Sequence, residues 1–321
     1  MKINKILIIL GEPQSTFSEI LFKYFRSKDF SINKKKIIVI GDIYLFNKQM
    51  TKLNYHLNLK KIDNVDDAKI KKINVLNVKY GNQKIFSKIS SKSNNYISKC
   101  FKISFDIIKK YKNTALINGP ISKKYFLKKK YLGVTEYIAK ECKTKKQVML
   151  IYNKNLSVSP VTTHLPLKYV TKNISKSKII NNIIQINNFY KACLKKKPKF
   201  AVLGLNPHCE TIDKYSEENK KITPSIDYLK KNKIDVDGPF SADTFFLKKN
   251  LVKYDVAVGM YHDQVLTPIK TLYNFKAINI TLGLPFLRIS PDHGPNIEML
   301  GKNLSDPSSI FCAMDFIRKI K

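Results

Sequence analysis

The chain has 321 residues, 43% of them hydrophobic, and carries 59 Lys and Arg against 24 Asp and Glu, a formal net charge of +35. The apolar fraction excludes a disordered chain, and the length suits two domains or one large two-lobed unit. All basic residues except Arg26, Arg288 and Arg318 are Lys, a bias that attracts polyanions nonspecifically at low salt but lacks the Arg of a base-reading surface.

The first apolar run, Ile6–Leu10, has the length of a buried strand. It is too short for a signal-peptide core or a membrane span, so a cytoplasmic protein with no membrane partner is expected. Ser15 is expected to cap a helix running to about Lys28. Ile37–Ile40 reads as a second strand, and the Lys/Asn-rich stretch Leu53–Gln83, with no clear period, as loops with one or two irregular strands. Lys99–Lys110 shows helical spacing, followed by strand-length runs at Ala115–Ile117, Val148–Ile151 and a segment ending at Ser159-Pro160-Val161. Lys178–Lys195 again has helical spacing, and Phe200–Leu205, Val256–Met260 and Ala277–Leu282 are strand-like. Asp306 or Ser308 can start a last helix, Ser309–Ile320. Alternating strands and helices predict an α/β fold, a mostly parallel sheet with helices on both faces.

Spacing removes several function classes. No two of the 11 glycines lie closer than the seven positions from Gly294 to Gly301, so neither G-x-G-x-x-G nor a G-x-x-x-x-G-K phosphate loop exists. The five cysteines, Cys100, Cys142, Cys193, Cys209 and Cys312, contain no C-x-x-C and are odd in number. That argues against zinc fingers, iron–sulfur centres and a disulfide framework, and for thiols in a reducing compartment.

Three of the five histidines, His164, His208 and His262, stand just beyond predicted strands, at the carboxyl edge where open α/β sheets bind ligands. They either hold one divalent ion with positions left for substrate or are three separate loop and core residues. Asp243 falls where a helix would begin, and Lys270 lies eight residues after His262. Asn279 interrupts an apolar strand and needs a partner or a ligand. Arg288 kept Arg against the Lys bias, which suits a planar, bidentate contact to phosphate or carboxylate.

These segments together resemble the 4-hydroxythreonine-4-phosphate dehydrogenase family of vitamin B6 biosynthesis. The strings are Gly119-Pro120, Gly133-Val134-Thr135-Glu136, Thr162-Thr163-His164-Leu165-Pro166-Leu167, Gly204-Leu205-Asn206-Pro207-His208, Gly238-Pro239 with Ala242-Asp243-Thr244, Met260-Tyr261-His262-Asp263-Gln264, and Asn279–Phe286 with Arg288 and Asp292-His293-Gly294. They follow the family's order and cover roughly residues 5–315.

The resemblance implies two α/β/α lobes with a cleft, like isocitrate and isopropylmalate dehydrogenases. It implies a first lobe of 1–125 plus 270–321, a second of 126–269 carrying the metal histidines, and a homodimer with an active site shared between subunits. By the same resemblance His164, His208 and His262 hold a divalent metal (zinc, magnesium or cobalt), two from one subunit and one from the other. Thr135, Lys270, Asn279 and Arg288 bind substrate, Asp243, Asp263 and Lys270 are catalytic candidates, and Asp292, His293, Gly294 and Gly301 meet NAD or NADP. The implied reaction is oxidation of 4-phosphooxy-L-threonine, a phosphorylated amino acid, to a β-keto acid that decarboxylates to 3-amino-2-oxopropyl phosphate.

The chain departs from the family pattern in places. The Gly-rich segment after the first strand reads Glu12-Pro13-Gln14-Ser15-Thr16, Val134 replaces a His, Ser122 replaces another, and Asn303 stands where Gly is usual. Rival readings are a related dehydrogenase acting on a phosphorylated threonate or other hydroxy acid, a non-catalytic paralogue, and a basic nucleic-acid-binding protein. The last leaves the three histidines unexplained, and no specific nucleic-acid partner is expected.

Overall fold

The computed structural model describes residues 2–81, 84–127, 130–209, 212–291 and 294–320. The chain forms two compact units, Met1–Ile138 with Pro285–Lys321, and Ala139–Leu284. The sequence reading set both crossings earlier, at 125/126 and 269/270.

In the first unit the strands are β1 (Lys5–Ile9), β2 (Lys36–Gly41), β3 (Leu59–Ile62), β4 (Ile73–Asn77), β5 (Thr114–Asn118) and β12 (Leu287–Pro291), in the order β3-β4-β2-β1-β5-β12. All neighbours are parallel. Ile6, Leu7, Ile8 and Ile9 of β1 and Ala115, Leu116 and Ile117 of β5 are wholly buried. An uninterrupted apolar run suits a strand covered on both faces, which is the condition of a parallel sheet. The second unit contains β6 (Val148–Tyr152), β7 (Ser157–Thr162), β8 (Phe200–Leu203), β9 (Val236–Phe240), β10 (Val256–Tyr261) and β11 (Ile278–Leu282), ordered β11-β6-β7-β10-β8-β9. Here β6 runs antiparallel to both β11 and β7, and the rest are parallel. The reversal comes from the short turn between β6 and β7. Its Asn153 accepts from the Asn155 N–H at 2.9 Å and donates to the Lys276 carbonyl at 2.7 Å.

Several local expectations shift. The first helix is Phe17–Phe25, with Thr16 rather than Ser15 at its N-cap. Ser15 Oγ instead donates to the Glu12 carbonyl at 2.8 Å and accepts from the Phe17 N–H at 3.4 Å, closing the turn before the helix. The stretch 53–83 contains two regular parallel strands, β3 and β4, whose polar residues sit toward the sheet edge. Asn74, wholly buried in β4, donates its amide to the Ile37, Lys69 and Lys72 carbonyls and so fills a position that looks polar in sequence. The helix Ile43–Lys52 begins at Asp42, whose Oδ1 accepts from the Tyr44 and Leu45 N–H groups at 3.0 Å. The last helix is Ser308–Lys319. Among the described residues no helix is long and apolar enough to cross a membrane.

The loops leaving β1 and β5 approach each other at main-chain distance. The Gly119 N–H donates to the Ile9 carbonyl and the Glu12 N–H to the Pro120 carbonyl, both at 2.8 Å. A Cβ on Gly11, which has φ +73°, would lie 2.5 Å from the Pro120 carbonyl oxygen. Gly81 also has positive φ, +83°, but a Cβ there would meet nothing within 4 Å. Gly11→Ala is therefore expected to lower unfolding free energy by about 2–4 kcal/mol and Gly81→Ala by about 1 kcal/mol. Urea midpoints at constant m-value check both, and equal losses would show that the close approach is not what Gly11 serves.

Candidate active site

Polar residues within strands and just past their carboxyl ends gather into distinct sets. In the first unit the core of the set is Arg288 on β12, only 2% exposed. Its Nε donates to Asn118 Oδ1 at 2.8 Å, and one terminal nitrogen donates to Thr135 Oγ1 at 3.3 Å. Asn118 ends β5, which pairs with β12, and Thr135 lies in the first turn of the helix Val134–Glu141. Burial pushes the guanidinium pKa down to about 10, while the neighbouring Glu136 carboxylate pulls it up. It stays cationic at neutral pH, a fixed positive charge in a dry place. Thr135 and Arg288, expected as substrate contacts, are thus brought together. Asn118 was not read from sequence; the signal was a lone amide at the end of an apolar strand, just before Gly119-Pro120.

The segment after β1 is held by side chains. Gln14 Nε2 donates to the Lys84 carbonyl and Gln14 Oε1 accepts from the Ser87 N–H, both at 2.8 Å. Gln49 Nε2 donates to the Pro13 carbonyl at 2.8 Å. Glu12, 2% exposed, accepts from Ser93 Oγ at 3.0 Å on Oε2, and its other oxygen has no hydrogen-bond partner among the described residues. Burial raises its pKa to about 7, against the lowering effect of Ser93 and the Gln14 N–H. Asp42 and Tyr96 line the same small cavity. Of the expected cofactor residues, Asp292 and His293 lie outside the described residues. Gly294 is exposed, and Gly301 has φ +76° with the Phe86 ring packed against its α-carbon side. This stretch is tied to the first helix: the Thr16 N–H donates to the Pro295 carbonyl at 3.2 Å, and Glu19 Oε1 accepts from the Ser305 N–H at 2.7 Å.

In the second unit all three predicted histidines stand at one edge. His164 follows β7, whose Thr162 Oγ1 donates to the Met260 carbonyl at 2.7 Å and so ties the ends of β7 and β10. His262 opens the helix His262–Tyr273 directly after β10, with Nδ1 2.8 Å from Asp263 Oδ1. With Nδ1 donating to Asp263, Nε2 keeps its lone pair for a ligand. The His164 and His262 ring centroids are 5.6 Å apart. His208 follows β8 in a turn where it and Cys209 take left-handed backbone, φ +55° and +54°. Such backbone in non-glycine residues costs energy and marks a position the surroundings impose. The brace is Glu218, 1% exposed, which accepts from the Leu205 N–H, the Asn206 N–H and Asn206 Nδ2 at 2.7–2.8 Å. Burial raises the Glu218 pKa, but these bonds outweigh it and leave the carboxyl below its usual range. His208 Nδ1 lies 3.7 Å from Asp243 Oδ2, and a hydrogen bond from Ser241 is the main cause of the lowered Asp243 pKa. The sequence reading gave Gln264 no role beyond its place in a matching string. Its Oε1 accepts from the Met260 N–H and its Nε2 donates to the Gly204 carbonyl, both at 2.7 Å, so one side chain fixes the ends of β10 and β8 that carry His262 and His208.

Among the described residues no group of three or more His, Cys, Asp and Glu converges as a metal site within the one chain. Lys270 and Asn279 are not beside the imidazoles either. Lys270 is eight residues into the helix that His262 opens, about 12 Å along its axis. Asn279 is level with Ile151 of β6 and hence with Val158 of β7, four residues and about 13 Å short of Thr162. Its Oδ1 is buried with no hydrogen-bond partner among the described residues.

Two α/β units that collect ionisable and amide side chains on their strands and just past the strand ends define an open-sheet α/β enzyme. The model of the family described as pyridoxal phosphate biosynthetic protein PdxA matches residues 33–317, and the chain belongs to that family. A 4-hydroxythreonine-4-phosphate dehydrogenase of Sulfurihydrogenibium sp. (strain YO3AOP1) is 36% identical over 329 aligned residues, covering 99% of this chain and 98% of the relative. The crystal structure of 4-hydroxythreonine-4-phosphate dehydrogenase from Klebsiella pneumoniae has a TM-score of 0.84 at 24% identity, covering 98% of this chain and 99% of that one. Isocitrate dehydrogenase from Methylococcus capsulatus shares the fold at a TM-score of 0.52 and 10% identity, covering 98% of this chain and 85% of that one. The fold class and family expected from the sequence are therefore the observed ones.

A buried carboxyl with a raised pKa makes the protein less stable as pH rises. The protonated form is favoured in the folded state, so the contribution is complete below the unfolded pKa of about 4.5 and is lost as pH passes through about 7. Glu12→Gln keeps a partner for Ser93 and removes the charge. It should match the wild type at pH 4.5 and exceed it by up to about 3 kcal/mol at pH 8. Denaturant midpoints at the two pH values measure this; a variant equally destabilised at both would show that the wild-type carboxylate is paired and ionised.

Proposed function

We propose that this chain oxidises the C3 hydroxyl of 4-phosphooxy-L-threonine to a β-keto acid, which loses CO2 to give 3-amino-2-oxopropyl phosphate, a step of pyridoxal 5′-phosphate biosynthesis in the cytoplasm. NAD or NADP would supply the two-electron acceptor, and the active form would be a homodimer. Family membership, with a full-length relative of that activity at 36% identity, is the observation that carries this reading.

The donor set suits a divalent metal. Two imidazoles 5.6 Å apart at one strand edge and a third beside Asp243 are neutral nitrogen ligands of the kind zinc and cobalt accept, with carboxylates to orient them. His164, His208 and His262 would hold it, two from one copy and one from its partner. Bound there, the metal supplies Lewis-acid polarisation that lowers the pKa of a coordinated hydroxyl.

The chain's own residues do the rest. Arg288, braced by Asn118 and Thr135, offers a permanent cation to the substrate phosphate or carboxylate at little reorganisation cost. Asp263 orients His262 through its contact with Nδ1, and Asp243, kept ionised and 3.7 Å from His208 Nδ1, is the carboxylate that would orient that imidazole. Lys270 and the partnerless amide oxygen of Asn279 supply further substrate contacts. They lie away from the imidazole edge of their own unit, which fits a site completed by a second copy. Gly294 and Gly301, with Asp292 and His293, are assigned to the cofactor.

Production of reduced nicotinamide from 4-phosphooxy-L-threonine, abolished by chelator and restored by zinc, magnesium or cobalt, tests the reading. Turnover of a phosphorylated threonate instead would move the assignment to the related dehydrogenase, and chelator-resistant turnover would remove the metal. Arg288→Lys should lower kcat/KM by roughly 30- to 1000-fold, because Lys cannot make the paired contact. A folded variant with unchanged kcat/KM would take Arg288 out of the site.

A further inference from the structure

The first unit carries a second basic feature, at the end of its sheet where the strands begin. Lys5 and Lys36 are the first residues of β1 and β2. With Lys2, Lys34, Lys35 and Arg318 they surround a groove of about 840 Å³. Among the described residues no Asp or Glu lines it. Asp315, paired with Arg318 at 2.6 Å, is shared with Lys319 at the same distance, so it offsets only part of the charge. The Lys35 ammonium is half-buried and fixed, donating to the Ile3 carbonyl at 2.7 Å. Desolvation, and secondarily the nearby Lys2, push its pKa down.

The surroundings are not only charged. Ile3 and Ile320 are buried in the groove's wall, and Ile32 and Ile70 line it while exposing 54% and 47% of their surface. The Lys bias of the chain explains many lysines on helix faces. It does not explain six cations around one concavity with apolar walls and no lining acid. A single phosphate would leave most of that charge unbalanced, and the volume falls within the range of small-molecule sites. Clustered cations of this kind raise the local concentration of anions and hold them by several contacts at once.

We propose that this groove binds an organic polyphosphate of nucleotide size, separately from the dehydrogenase site. The phosphates meet Lys2, Lys34 and Arg318, and the organic body lies against Ile32 and Ile70. Lys5, 4.2 Å over the Tyr111 ring, and Lys36, donating to the Asp66 carbonyl at 3.4 Å, add to the positive field.

The test uses the full chain at about 0.15 M salt with EDTA, and charge-reversal variants separate binding in the groove from binding at the dehydrogenase site. Calorimetric titration with adenosine 5′-triphosphate and with inorganic tripolyphosphate is expected to give saturable binding, several-fold tighter for the nucleotide. Lys2→Glu with Lys34→Glu should weaken the nucleotide at least 10-fold and leave dehydrogenase turnover unchanged. Lys230→Glu with Lys231→Glu, the same charge change on a helix of the second unit, should weaken it less than about 3-fold. Circular dichroism confirms that both variants are folded. No binding at this salt, equal losses in the two variants, or equal affinity for the two probes overturns the proposal. So does a single-stranded oligonucleotide of 12 residues that outcompetes the nucleotide.

Discussion

The buried guanidinium of Arg288 sets the terms for the first unit. A cation in a dry interior is tolerated only when every neighbour is placed for it. Here the neighbours come from three stretches far apart in sequence: Asn118 from β5, Thr135 and Glu136 from the helix Val134–Glu141, and β12 itself. The side chain thereby joins the internal strand β5 to the returning strand β12 and fixes where the helix after residue 133 begins. Removing any one partner would leave part of a buried charge unsatisfied, so the arrangement holds as a unit or fails as one.

The second unit solves a different problem, that of holding imidazoles on short loops. Its answer is a set of crosslinks just behind them. Gln264 joins the ends of β8 and β10, Thr162 joins β7 to β10, and Glu218 gathers three donors of the loop before His208. The left-handed backbone at His208 and Cys209 is sustained by that bracing. Ligand positions set by strand ends and second-layer hydrogen bonds are stiffer than positions set by loops alone.

Much of this was legible in the chain itself. The strands at Ile6, Ile37, Ala115, Val148, Phe200, Val256 and Ile278 declared themselves because a strand buried on both faces needs a continuous apolar run, and histidines just beyond three of them followed from the same pattern. Arg288 stood out because every neighbouring choice of cation in the sequence had gone to Lys. What stayed hidden has a common cause, the use of polar residues inside regular structure. β12 reads Leu-Arg-Ile-Ser-Pro, with Arg288 satisfied by the distant Asn118, and β4 contains Asn74, satisfied by the Ile37 carbonyl of the neighbouring strand and by the turn before its own strand. Asn118, Gln264 and Glu218 are invisible for the same reason, since a single amide or carboxylate near a strand end has no periodic signature. The separation of Lys270 and Asn279 from the imidazoles is a matter of strand register, which composition does not encode.

The bracing of residues 11–16 has an asymmetric consequence for how this sequence can drift. Both partners of Gln14 are main-chain groups, the Lys84 carbonyl and the Ser87 N–H. The identities of residues 84 and 87 are therefore nearly unconstrained by the contact, provided residue 87 is not Pro. Residue 14 is constrained completely, because only a primary amide of that length both donates and accepts across the gap. A lineage carrying this loop can change the far side freely and the near side not at all. A glycine-rich loop in this place would have to take its order from backbone packing alone.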